Sequence, residues 1–401
     1  MDFNDSPEDA KFRTEVQQWL AANAPTYANA STLSEHDYVA SAKAWQACKA
    51  AAGYAGISKS PSIGGAGRSE MQSIIFDAEE NKYDLPLGPV IKIGEHMVVS
   101  LLEKHGTPEQ IEQFCAPTLK GEITWCQLFS EPGAGSDLAN VRTKAIQDGD
   151  EWVINGQKVW SSWAHHADWG ILLARTDPTQ VKHKGLSFFV VNMKSPGIDI
   201  RPIRQISGES DFNETFMTDL RLPDSCRVGN IGDGWACAIT VLTSERLSSG
   251  EMKDSESAKR LIELAQQIDT DSGKAIDSNA VQEKIAYFYS LEQGQRNFHS
   301  RLLSDFSNGK PPGAEAALVK YIYSNRLQQS AGFAMELQGM NGVGIHPDDS
   351  SAATFYESYI WSTAMRVAGG ADEVLLNQIA ERVLGMPAEI RGDKNVPFNE
   401  L

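Results

Sequence analysis

The stretch from Trp125 to Trp163, WCQLFSEPGAGSDLANVRTKAIQDGDEWVINGQKVWSSW, is patterned for β-structure and sits between two halves patterned for helix. That contrast constrains the fold more than any other feature. A chain that is helical, then β, then helical must bury a small sheet against helical layers. The stretch holds a Pro132-Gly133-Ala134-Gly135-Ser136 turn, a hairpin pattern around Asn155-Gly156, and Trp160 followed by Ser161 and Ser162. A glycine-rich turn lets backbone N–H groups approach a ligand closely. An indole beside a hydroxyl suits a flat heteroaromatic ring, offering a face to stack on and a donor at its edge. The turn is neither a P-loop nor a dinucleotide fingerprint, since the required Lys and third glycine are missing.

The flanks read as helices with clear punctuation. Ser6-Pro7-Glu8 supplies an N-cap, a proline suited to the first turn and an acid, and Phe12, Val16, Trp19 and Leu20 then recur on one face. The pattern predicts helices over 36–52, 69–82 and 88–105, and Thr107-Pro108-Glu109 restarts another. Asn155-Gly156 between apolar residues predicts a hairpin turn. Residues 169–175, 186–191, 198–203 and 214–220 predict further short strands, and a small antiparallel sheet or barrel accommodates them. Beyond Gly234 the pattern predicts long helices over 235–260 and 281–306, another over 314–335, and a last one over 368–384. Residues 388–401 read as a polar tail. The division expected is a helical domain over 1–122, a β-domain over 123–232 and a helical bundle over 233–401, an α+β arrangement.

The formal net charge of −17 argues against nonspecific binding to nucleic acid or anionic membrane. No apolar run approaches the roughly 20 residues needed to span a bilayer. Five scattered cysteines without a CxxC, and an acidic, polar N-terminus, predict a reduced cytoplasmic protein. His165-His166 would point in different directions on a strand and make a poor metal pair, so no metal is expected.

Taken together, the glycine turn, the Asn-Gly hairpin and Trp160 resemble the acyl-CoA dehydrogenase family. The likeness continues through His105-Gly106-Thr107-Pro108-Glu109-Gln110, Ala174-Arg175-Thr176-Asp177, Arg221-Leu222-Pro223, Gln338-Gly339-Met340-Asn341-Gly342 and Ile379-Ala380-Glu381-Arg382. It implies a helical N-terminal domain, a small antiparallel β-domain and a C-terminal four-helix bundle. It implies FAD, with Phe129, Ser130, Trp160 and Ser162 lining the flavin ring, Gly135 and Ser136 in the turn, and Gly339 and Met340 in the adenine-side segment. Ser130 and Ser162 stand where family members usually carry threonine. Ser136 also falls where the family contacts acyl-CoA.

The implied reaction removes an α-proton from a thioester while the β-hydride leaves for flavin N5, which calls for a carboxylate base in a water-poor site. Many members place this Glu where the present chain has Gly369. A minority carry it on an earlier helix before an Arg, and Thr243-Ser244-Glu245-Arg246-Leu247 matches that pattern. Glu245 is therefore the expected base. Arg246 is expected to steady the substrate, Gly369 to offer a backbone N–H to the thioester carbonyl, and Gly370 to join it. Asp372 and Glu373 read as structural helix acids. The segment TDSGKAIDSNA lacks the arginine that grips the FAD pyrophosphate of a neighbouring subunit, so Lys274 or another chain must supply that contact.

The run from Trp163 to Asp168, with Gly208 and Phe212-Asn213-Glu214, resembles bacterial members acting on bulky, branched or steroid-derived CoA thioesters in lipid β-oxidation. Such enzymes pass electrons to an electron-transfer flavoprotein and assemble as homotetramers or α2β2 heterotetramers. The alternatives are a non-catalytic or half-site partner subunit, or an acyl-CoA oxidase or flavin monooxygenase on the same fold.

Overall fold

The computed structural model describes residues 5–248, 257–307, 310, 313–342 and 350–401. They fall into two compact bodies, Asp5–Ser249 with Ile390–Leu401, and Gly250–Glu389.

The first body opens with helices α1 (Pro7–Asn23), α2 (Glu35–Ala51) and α3 (Glu70–Glu80). Ser6 caps α1 by accepting from Asp9 N–H, and Ser34 caps α2 in the same way from Asp37 N–H. Phe12, Val16 and Leu20 of α1 meet Trp45, Ile75, Phe76 and Leu85 in a core of their own. α4 (Pro89–Lys92) runs through a π-helical turn, Ile93–Val98, into α5 (Val99–His105). α6 (Pro108–Leu119) carries a capping box between Thr107 and Gln110.

Eight strands follow: β1 (Trp125–Leu128), β2 (Lys144–Asp148), β3 (Glu151–Ser162), β4 (Trp169–Arg175), β5 (Leu186–Asn192), β6 (Ile198–Ile203), β7 (Phe212–Pro223) and β8 (Arg227–Val228). They form one sheet in the order β6-β7-β3-β2-β4-β5-β8, with β1 alongside β4. Most pairings are antiparallel, but β1 and β2 lie parallel to β4, so the sheet is mixed. β4 and β5 are apolar almost throughout because both faces are covered. One face packs on α5, α6 and α7 (Gly234–Ser248) through Val99, Leu102, Phe114, Trp125, Phe188 and Val241. The opposite face holds Trp152, Ile154, Phe189, Met217 and Leu222.

The hairpin expected at Asn155-Gly156 is not there. β3 runs straight through both residues, and the turn lies at Gly149 (φ 68°) between Asp148 and Glu151. Asn155-Gly156 is instead a register shift of β3 against β7. Glycine is needed there for closeness, because a Cβ on Gly156 would lie 2.4 Å from Thr143 Oγ1 and 2.7 Å from its Cα.

The C-terminal tail returns to this body. Phe398 N–H donates to Gln180 O at 2.9 Å, and Lys182 Nζ meets Asp393 at 2.7 Å. The Phe398 ring lies 3.6 Å from the Arg175 guanidinium.

The second body contains α8 (Ser257–Gln267), a hairpin of β9 (Asp269–Thr270) and β10 (Gly273–Lys274), α9 (Asn279–Ser307), α10 (Ala317–Gln338), α11 (Ser350–Met365) and α12 (Asp372–Arg382). Leu261, Leu264, Phe288, Ala334 and Phe355 form its core. The helix expected over 235–260 is α7 and α8, with 249–256 outside the described residues. α11 was not expected. The last helix begins at Asp372 rather than 368, because Gly369 (φ 64°) and Gly370 (φ 104°) leave helical geometry.

Candidate functional site

β1 delivers Phe129 and Ser130 to the start of the glycine turn. Phe129 is buried and Ser130 half-buried. The turn closes on itself, Glu131 N–H donating to Ala134 O and Ala134 N–H to Glu131 O, both at 3.0 Å. Gly133 and Gly135 have no neighbour within 4 Å of a built Cβ, and Ser136 is exposed.

Below the turn lies an ion pair that the sequence reading did not single out. Lys158 of β3 is fully buried, and its ammonium donates to Phe129 O at 2.9 Å and Glu131 Oε1 at 2.8 Å. The Glu131 carboxylate also accepts from the N–H groups of Arg142 and Thr143. Burial pulls the Lys158 ammonium down to about 8, with Glu131 opposing the shift. Burial acts the other way on Glu131, but Lys158 and the N–H donors hold its carboxyl below the ordinary range. The available signal was a lysine at an inward position of an alternating strand. The pair ties the turn to β3, and Val159 N–H donating to Ser130 O at 2.9 Å completes the tie.

Two residues later the strand changes direction. The register against β7 shifts between Lys158 and Ser161, and Trp160 takes φ 61°. This bulge turns the indole outward, leaving Trp160 58% exposed and edge-on to Phe212 at 5.9 Å. Ser162 is half-buried opposite Phe212. The structure thus brings Phe129-Ser130 beside Trp160-Ser162. An exposed indole, with Ser130 and Ser162 on the segments that meet there, is a set of groups that suits a flat heteroaromatic ring such as flavin.

Trp163 (φ 51°) then breaks the strand, its N–H donating to Asp211 O at 2.7 Å and its ring packing on Tyr38 at 5.3 Å. The strand geometry expected to send His165 and His166 apart does not apply, because both lie in the 3-10 turn Ala164–His166 that follows. Their Nε2 atoms converge on Glu35 Oε1 at 2.5 and 2.9 Å.

Glu245 and Arg246 lie near the end of α7, and their side chains are outside the described residues. In the second body, Gly339 (φ 56°) ends α10 and Met340 is 84% exposed. The Gly369-Gly370 loop is held by Asp372, a buried acid bonded to Arg366 at 2.7 Å, Asn325 at 3.0 Å and Ser324 at 3.2 Å. Lys320 Nζ donates to Gly370 O at 2.7 Å and reaches Asp372 at 3.4 Å. Burial raises the Asp372 carboxyl, but Arg366 and its other partners bring it below the ordinary range. Asp372 therefore shapes the glycine loop. Lys274 is paired with Asp269 at 2.6 Å within its own hairpin.

Comparison with known proteins gives a consistent result. Residues 6–122, 126–222 and 232–384 match the N-terminal, middle and C-terminal domains of acyl-CoA dehydrogenases. The chain is 35% identical over 400 residues to acyl-CoA dehydrogenase IpdE1 of Mycolicibacterium smegmatis, covering 95% of this chain and 99% of that one. It is 38% identical over 329 residues to acyl-CoA dehydrogenase FadE34 of Mycobacterium tuberculosis, covering 82% of this chain but only 44% of that longer relative. Among solved structures, the "Tcur3481-Tcur3483 steroid ACAD" superposes with a TM-score of 0.81 at 25% identity, covering 97% of this chain and 100% of that one. The ChsE4-ChsE5 complex from Mycobacterium tuberculosis gives 0.80 at 26% identity, covering 97% and 100%.

Proposed function

Since this chain belongs to the acyl-CoA dehydrogenase family, whose members are flavoproteins acting on acyl-CoA, we propose that it catalyses FAD-dependent α,β-dehydrogenation of a bulky, branched or steroid-derived acyl-CoA. One observation carries the cofactor reading: Val159 N–H on Ser130 O places the Phe129-Ser130 segment against the outward-facing Trp160-Ser162 segment. In this reading Trp160 stacks on the flavin ring, while Ser130 and Ser162 donate to its edge. Gly135 and Ser136 lie along the turn, and Gly339 and Met340 serve the adenine side. Bound FAD supplies the hydride acceptor.

Glu245 takes the α-proton, and Arg246 steadies the substrate. Gly369 turns its N–H toward the thioester carbonyl, and Lys320 and Asp372 keep Gly369 and Gly370 in shape. The supports for Glu245 are its family-like Glu-Arg pattern and the glycine at the commoner position of the base. The domain division proposed is 1–122, 123–232 and 233–401. The proposed setting is cytoplasmic, with an electron-transfer flavoprotein as acceptor; among the described residues no helix is long and apolar enough to cross a membrane.

The variant Glu245→Gln tests the base. It is expected to retain bound FAD and lose bleaching of the flavin by substrate under anaerobic conditions. Near-normal turnover would remove Glu245 from the mechanism.

A second reading, a half-site partner of a heteromeric α2β2 enzyme, is favoured by the absent arginine segment. The two-component names of the steroid ACAD and of the ChsE4-ChsE5 complex point the same way. Purified alone, a colourless chain that gains flavin only with a second chain supports this reading. A yellow homotetramer refutes it.

A further inference from the structure

We propose that Glu35, His165 and His166 form a binding site for one divalent transition-metal ion of the zinc class. They form a cluster of three potential ligands whose donor atoms all lie within 4.8 Å of one another. Two imidazoles and a carboxylate are a donor set that Zn2+ takes readily, with solvent completing the tetrahedron.

The hydrogen bonding around His165 gives the independent argument. Asn213 is fully buried, and its Nδ2 donates to Ser161 O at 3.0 Å. That bond places Asn213 Oδ1 toward His165 Nδ1, also at 3.0 Å, so Nδ1 must be the donor. With Nδ1 committed to Asn213, Nε2 is the ring atom that faces the Glu35 carboxylate, at 2.5 Å. An approach this close calls for a cation between the two atoms, either a proton or a metal ion, and titration with Zn2+ distinguishes them. A buried acceptor that fixes the far ring nitrogen orients the ring as outer-shell partners orient metal-ligating histidines, here with an amide oxygen in place of the usual carboxylate, carbonyl or water. His166 Nε2 adds a second nitrogen at 2.9 Å from the same oxygen.

The backbone is built for this convergence. Trp163 in the left-handed region ends the β3 alternation and starts the turn that aims both rings at the first residue of α2. Ligand atoms around a tetrahedral Zn2+ with bonds near 2.0–2.1 Å lie about 3.3 Å apart, so the side chains need to open by less than about 1 Å. Glu35 is 51% exposed, which leaves a route in for the ion and room for a water ligand. An ion held there would clip α2 to the turn that follows the Trp160-Ser162 segment.

The test uses the whole protein with its flavin in place, stripped of metals by a chelator. Zn2+ is titrated against a chromophoric competitor, and zinc-edge absorption spectroscopy is recorded on the loaded protein. The expected result is one equivalent of Zn2+ with two imidazole nitrogens in its shell. Glu35→Gln and His166→Gln should each weaken binding at least tenfold, with circular dichroism and flavin spectrum unchanged. The double variant His165→Ala/His166→Ala should abolish it. Failure to bind Zn2+, or binding of equal strength in all these variants, overturns the proposal.

Discussion

Gly156→Ala offers a sharp test of how the sheet closes beneath the glycine turn. In the structure a Cβ at this position lies 2.4 Å from Thr143 Oγ1 and 2.7 Å from both Thr143 Cα and Cβ. Ordinary contacts begin near 3.4 Å, so β2 and β3 must part by something under 1 Å. Overpacking of this kind costs about 1–3 kcal/mol, while replacing glycine regains about 0.4–1 kcal/mol from the unfolded chain. A net loss of about 1–2 kcal/mol is expected, measured by urea unfolding followed through tryptophan fluorescence. The discriminating variant is Gly156→Ala/Thr143→Ala. It removes the 2.4 Å overlap with Oγ1 but keeps the 2.7 Å overlaps with Cα and Cβ, so rescue should be partial. A glycine needed only for an Asn-Gly turn would also suffer on substitution, but Thr143 would not relieve it. Strict additivity of the two substitutions, to within about 0.5 kcal/mol, would refute the close approach.

Three further outcomes follow from buried charge and from the tail. Lys158→Met leaves the Glu131 carboxylate buried with only the Arg142 and Thr143 N–H groups, so a loss of about 3–5 kcal/mol is expected, with partial recovery in Lys158→Met/Glu131→Gln by denaturant unfolding. Burial raises the Glu95 carboxyl, but Lys49, His96 and the Gly56 N–H outweigh it and bring the group from 4.5 to about 2. The native pKa is the lower one, so this stabilisation is present above about 4.5 and lost as pH falls toward 2. It amounts to at most about 3 kcal/mol, and Glu95→Gln should flatten the acid limb of stability against pH. Phe398→Ala removes the ring lying 3.6 Å from the Arg175 guanidinium and should cost about 1–2 kcal/mol, with faster proteolysis of residues 390–401.

Legibility in the sequence followed the range of the interactions. Helix starts were readable because their signals are local: Ser6 and Thr107 cap the helices they precede. The cradle segments were readable as residues, but their adjacency rests on Val159 N–H meeting Ser130 O across the fold. Asn155-Gly156 misled because a close strand crossing and a hairpin turn both call for glycine, and only the partner Thr143 distinguishes them. α11, SSAATFYESYIWSTAM, follows a glycine-rich segment and lacks the cap-proline-acid run that marked the starts of α1 and α6. The cluster of Lys49 with Glu80 and Glu95 was invisible, since its members come from α2, α3 and the π-helical turn. His165-His166 was judged on strand alternation, which a single left-handed residue at Trp163 abolishes.

Trp160 separates a binding role from a packing role more cleanly than any other residue of the cradle. Its φ of 61° is a conformation that costs a bulky residue about 1–3 kcal/mol, and its ring is 58% exposed, so little apolar burial offsets that cost. Trp152, eight positions earlier on the same strand, is buried between Phe189 and the bond from its Nε1 to Asp224. The two indoles should therefore respond oppositely. Trp152→Ala removes core and should cost about 3–5 kcal/mol. Trp160→Gly relieves the left-handed strain, and the gain offsets most of glycine's extra chain entropy, so stability should change by less than about 1 kcal/mol. FAD affinity, read by flavin fluorescence on dilution, should nevertheless fall at least tenfold, because the stacking face is gone. Strain that persists with only the edge of Phe212 beside the ring is what a ligand-facing residue shows. A loss of 3 kcal/mol or more in Trp160→Gly, with FAD still tightly held, would make Trp160 a core residue and break the cradle reading.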